Sequence, residues 1–134
     1  MTESRRREFL SRLAAWGCLA VLPAPAFARA AVPEEAARWM PAVDRSAAAR
    51  AVGRRCIDAG AAEDTPSVLA GRLLEAVDRH GGTAEAMPAT PESLRAALDR
   101  VLRAEFRGGD VVRVDGWVLS RTEARAYALA AVIV

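Results

Sequence analysis

Asp110-Val111-Val112-Arg113-Val114-Asp115-Gly116-Trp117-Val118-Leu119-Ser120-Arg121-Thr122-Glu123 is the stretch where the residue pattern leaves the helical period that governs the rest of the chain. Its β-branched and aromatic residues favour extended backbone, and Asp115-Gly116 is a dipeptide suited to a two-residue hairpin turn, since both residues tolerate positive φ. Two short antiparallel strands are therefore predicted. A lone hairpin is marginal in water, so this one must lie against something apolar. Immediately after it, Ser120-Arg121-Thr122-Glu123 has the spacing of a capping box, in which the Ser hydroxyl and the Glu carboxylate each satisfy a backbone N–H of the other residue. A last helix follows from Arg121 to about Ile133, with Ala124, Tyr127, Ala128 and Ala131 on one face.

Upstream of the hairpin the chain reads as helices. Thr90-Pro91-Glu92 is a start signal, with Thr90 at the cap and Pro91 at the first helical position, where its missing N–H costs nothing. Leu94, Ala97, Leu98, Val101 and Leu102 then form one apolar stripe to about Phe106, and Gly108-Gly109 stop it. The same chemistry recurs at Thr65-Pro66, ahead of Leu69, Leu73, Ala76 and Val77, with His80-Gly81-Gly82 as the stop. Residues Thr83 to Ala89 read as a loop. Asp44 to Ala59 is an alanine-rich helix with Ala48, Val52 and Cys56 on one face, ended by Gly60. A short helix at Glu34-Glu35 carries acids in its first turn, ahead of Trp39, Met40 and Pro41. The expected fold is mainly α: a small bundle of four or five helices with one short β-hairpin before the last.

The start of the chain has a different character. Arg5, Arg6, Arg7 and Arg12 precede an apolar run from Leu13 to Leu22, and Pro23, Pro25 and several alanines follow. A basic start, apolar middle and small-residue end are the three parts of an export leader. The apolar run falls short of the roughly 20 residues that span a bilayer, so no stable membrane span is expected after cleavage. Small residues suit cleavage after Ala28 or after Ala30; the second is taken as the boundary, giving a signal at 1–30 and one domain at 31–134.

Arg6-Arg7-Glu8-Phe9-Leu10 resembles the twin-arginine leaders, whose pattern is Ser/Thr-Arg-Arg-x-Phe-Leu-Lys. Arg6, Arg7, Phe9 and Leu10 match it, whereas Arg5 and Ser11 depart from its first and last positions. An ordinary general-secretion signal is one alternative; a lipoprotein signal at Cys18, preceded by Gly17, is another, with the bulk of Trp16 and the short apolar stretch after Arg12 against it. The resemblance implies the twin-arginine translocation machinery as a partner, a periplasmic or secreted destination, and a domain that folds before it crosses the membrane. The segment Gly116-Trp117-Val118-Leu119-Ser120-Arg121-Thr122-Glu123-Ala124-Arg125 also resembles the end of small exported bacterial proteins, a likeness that implies no activity.

Removing the leader changes the charge. All 19 basic residues of the 134-residue chain are arginine, and five of them lie in the first 30 residues. The remaining 104 residues hold 14 basic and 15 acidic side chains, which is near neutrality and does not point to nucleic acid. They suffice for a single core. Cys56 is then the only cysteine, so no disulfide can form within the domain, and a lone cysteine on a helix reads as a small buried apolar residue.

Catalytic signatures are sparse. His80 is the only histidine and suits a helix C-terminus; with one Cys beside it in the composition, a His/Cys zinc site is excluded. Neither a phosphate-binding glycine loop nor a Gly-x-Ser-x-Gly elbow occurs. The carboxylates Glu34, Glu35, Asp58, Glu63, Asp64, Asp110 and Asp115 fall at helix ends, loops or the turn. The densest constellation is Trp117 with Arg121 and Arg125, an aromatic and cationic face for a partner or an anionic ligand; in a purely structural role, Trp117 would sit in the core. No cofactor is implied. The expectation is an exported, non-enzymatic accessory protein or small subunit beside a larger periplasmic protein, a redox enzyme among the candidates. The alternative is a small ligand binder or enzyme with its site near the Trp117 hairpin.

Overall fold

The computed structural model describes residues 31–80 and 90–133. Among them are five helices and one hairpin, in the order α1 (Glu34–Ala37), α2 (Ala47–Asp58), α3 (Pro66–Arg79), α4 (Pro91–Gly108), β1 (Val111–Val114), β2 (Trp117–Ser120) and α5 (Arg121–Val132). The chain is mainly α, with the hairpin directly before the last helix, as its periodicity predicts. The leader residues Arg6, Arg7, Phe9, Leu10, Ala28 and Ala30, and the loop expected at Thr83 to Ala89, lie outside the described residues.

Local chemistry accounts for most element ends. Thr90 and Ser93 make a reciprocal capping box at the start of α4, so a serine fills the role that glutamate usually takes. Ser120 and Glu123 make the expected one at α5. At α3 the expected cap is not made: Thr65 stands at the cap position, but its hydroxyl donates to Asp64 Oδ1 instead, and Pro66 alone marks the start. α2 begins three residues later than its composition suggests, because Asp44 accepts from the Ser46 N–H and Ser46 then caps through Ala49 N. α4 ends in a Schellman arrangement: Gly109 is left-handed, Gly109 N donates to Phe106 O and Asp110 N donates to Glu105 O.

α5 is the central element, packed against α2, α3, α4 and both strands. Trp39, Leu69, Leu73, Leu94, Val101 and Leu129 build the main core between α5, α3, α4 and the α1 segment. Each such buried leucine stabilises the fold by roughly 1.5–3 kcal/mol. A smaller cluster of Cys56, Val114, Leu119 and Ala124 joins α2, the hairpin and the start of α5. The buried face of α2 is Ala49, Gly53 and Cys56, one residue round from the expected stripe, and Ala48 is exposed. Gly53 explains the shift. A Cβ there would collide with the Tyr127 carbonyl and approach Ala131 Cβ to 2.9 Å, so α2 and α5 meet backbone to backbone at this point.

Candidate binding cleft

Asp115 (φ 50°) and Gly116 (φ 82°) form the predicted turn, and the strands pair Val111 with Ser120, Val112 with Leu119, Arg113 with Val118 and Val114 with Trp117. Side chains alternate across a strand, so Val112, Val114, Trp117 and Leu119 share the inward face. Val114 and Leu119 are buried accordingly, but Trp117 is 72% exposed. The expectation of a core tryptophan is therefore corrected. The rung next to the turn is split: Val114 is covered, whereas the larger ring of its partner Trp117 is left largely to solvent.

Trp117 forms part of a cleft of about 580 Å³ between the hairpin and α2, with Val52 and Ala51 on the opposite wall, Phe106 at the side, and Glu123 and Tyr127 from α5. Phe106 (46%) and Val118 (42%) are also exposed, which places three large apolar side chains around one opening. Across the mouth, Arg55 Nη1 donates to Asp115 Oδ2 at 2.8 Å and ties α2 to the turn. A second, smaller cleft of about 260 Å³ shares Glu123 and Tyr127 with the first and adds Asp44, Asp99 and Arg95. Arg95 is engaged there, donating from Nη2 to the Pro41 carbonyl at 2.7 Å.

Two groups at the base of the cleft, Cys56 and Tyr127, have their neutral forms favoured. Burial, with Glu123 and Asp115 adding to it, raises the Cys56 thiol above its ordinary value. It is a protonated core group, as the sequence suggests, and a poor nucleophile. Burial first, then the charges of Glu123 and Asp44, raises the Tyr127 phenol, so the acidic fields of both clefts meet at this ring.

The three residues singled out in the sequence are not brought together. Trp117 lines the cleft, whereas Arg121 and Arg125 are used elsewhere. Arg121 Nε donates to Asp110 Oδ1 at 2.8 Å at the base of the hairpin. Arg125 makes a two-pronged pair with Glu63, Nε to Oε2 and Nη2 to Oε1, each at 3.0 Å. Burial alone would raise Glu63; hydrogen bonds and charge from Arg125, with a further contribution from Arg72, outweigh it and hold the carboxyl below its ordinary value. His80 follows the last residue of α3 as its C-terminal cap position, as its neighbours suggest.

Sequence reasoning overlooked Glu105. It is 2% exposed, and its carboxylate accepts from Thr122 N at 2.8 Å and from Thr122 Oγ1 at 2.6 Å. A negative group at the first turn of α5 complements the helix dipole and locks α4 to the strand–helix junction. The signal available was a glutamate on the apolar face of α4, four residues after Val101. Among the described residues no group of three or more His, Cys, Asp or Glu side chains is placed to hold a metal ion, and no helix is long and apolar enough to cross a membrane.

No family model, curated protein or solved structure matches this chain. Its site must therefore be read from its own geometry.

Proposed function

We propose that the chain is an exported accessory protein that docks onto a larger periplasmic protein through the Trp117 cleft, with a redox enzyme as the first candidate for that partner. The supporting observation is the exposure of Trp117, beside Phe106 and Val118, on the wall of a preformed apolar cleft. Exposed aromatic residues grouped at a concavity are the usual anchors of protein interfaces, and holding them in water costs solubility unless a partner covers them. The leader supports the compartment. The volume of the cleft favours a second reading, a small apolar ligand, since it falls within the range of small-molecule sites.

The test places a photo-crosslinking residue at position 118 in the full chain, expressed in its native host. The expected result is one dominant adduct with a single exported protein, identified by mass spectrometry, that disappears in the Trp117→Ala background. Val68, which is exposed on α3 outside the cleft, is the control position and should give none. A lone monomer without an adduct, or an equal adduct from position 68, overturns the docking reading. A small molecule that copurifies with the chain and is lost with Trp117 supports the second reading instead.

A further inference from the structure

Two clefts of different chemistry meet at Glu123 and Tyr127, and strand β2 borders the larger one. Trp117, Val118 and Leu119 are consecutive and therefore alternate between the two faces of the hairpin, yet all three line the cleft. Three consecutive lining residues place the cleft along β2. Hydrogen-bonded pairs alternate along an antiparallel ladder, and Arg121 N donates to Asp110 O, which extends the ladder by one rung. Counting from that rung makes Val112–Leu119 and Val114–Trp117 the hydrogen-bonded pairs. The N–H and C=O of Val118 are then directed away from β1, at a residue that is exposed.

Charge separates the two clefts. The walls at Trp117, Phe106 and Val52 are apolar, and Arg55, the one cation among the described residues that line them, is paired with Asp115. Past Glu123 and Tyr127, the smaller cleft carries Asp44, Asp99 and Glu123, with Arg95 the one cation among the described residues that line it. We infer that the groove receives an extended segment of the partner protein, pairing along β2 at Val118, with a large apolar side chain against Trp117 and a lysine or arginine toward Asp99 and Glu123. Main-chain pairing at a strand edge supplies affinity in this mode, and the pockets for alternate side chains supply specificity. The inference rests on the docking reading above and specifies the chemistry of the docked segment.

A phage-displayed library of random heptapeptides, selected on the immobilised full chain, is the test. Enriched peptides should combine an aromatic or large aliphatic residue with a basic residue at an even spacing, two or four positions away, which puts both on one side of an extended chain. Titrated against the variants, they should bind at least about tenfold more weakly to Trp117→Ala and about threefold more weakly to Asp99→Lys. Val118→Pro removes the outward N–H, fixes φ at about −65° and replaces the valine side chain, changes an edge strand tolerates, and should abolish binding while thermal unfolding stays near that of the parent. Val118→Ala, which keeps the N–H, should retain binding. Enrichment of acidic peptides, an apolar spacing of three or four as on a helix, or no enrichment at all overturns the inference. If the position-118 crosslink to a partner survives that outcome, docking stands and only the extended basic segment falls. If the crosslink is also missing, docking itself is lost.

Discussion

At Gly53 the helix backbone of α2 lies against the carbonyl of Tyr127, and there is no room for a methyl group. Gly71, on α3, has nothing within 4 Å of where its Cβ would be. The two glycines therefore respond oppositely to the same change. Gly53→Ala should destabilise the domain by roughly 1–3 kcal/mol through overpacking, while Gly71→Ala should stabilise it by up to about 1 kcal/mol through helix propensity; urea unfolding of the two variants compares them directly. Neither role is legible in the sequence. An alanine-rich helix offers little contrast between its faces, and the i, i+4 spacing of Ala48, Val52 and Cys56 selected a face one residue away from the buried one. Trp117 escaped for another reason: alternation assigns it the inward face correctly, but how far the helices reach along that face is a tertiary fact. Glu105 is a third case, since only the fold brings it to Thr122, 17 positions later in the chain.

Elements were far more legible, because what starts and stops them is local. The Asp115-Gly116 turn, the Ser120 capping box and the proline starts of α3 and α4 involve groups within four residues of one another, and all lie where their chemistry places them. The links between elements were hidden. Arg125 joins α5 to the segment before α3 by reaching Glu63, 62 positions away, and the sequence suggested a ligand-binding role for that arginine. This link has a pH signature. Glu63 is held below its ordinary value of 4.5 in the folded chain, so its contribution is present above that pH and is lost as pH falls through the folded value. In urea unfolding, the parent should exceed Glu63→Gln by roughly 1 kcal/mol at neutral pH, and the gap should narrow as pH falls below 4.5 and close once pH has passed below the folded value. A gap that persists in acid would show that Glu63 acts through packing and not through its charge.

For the whole molecule, the export route proposed from the first 30 residues places a demand on the domain. A twin-arginine route requires a domain that folds before export, and the described domain has a core and two capping boxes built from its own side chains, with no disulfide to await. Replacing Arg6-Arg7 by Lys-Lys should leave the chain in the cytoplasm, folded and uncleaved, as read by fractionation and immunoblotting; undiminished export would assign the general secretory route. Function was the least legible level, because an apolar cleft is assembled from α2, β2, α4 and α5 and leaves no spaced motif in the sequence. The backbone contact at Gly53 bears on how that cleft can be filled. No side-chain layer separates the two helices there, so α2 cannot approach α5 any further, and backbone contact sets the inner limit of the cleft wall that α2 provides. Two residues along α2 from that contact, Arg55 ties the same wall to the hairpin turn through Asp115, so one short length of helix fixes both the depth of the cleft and its rim.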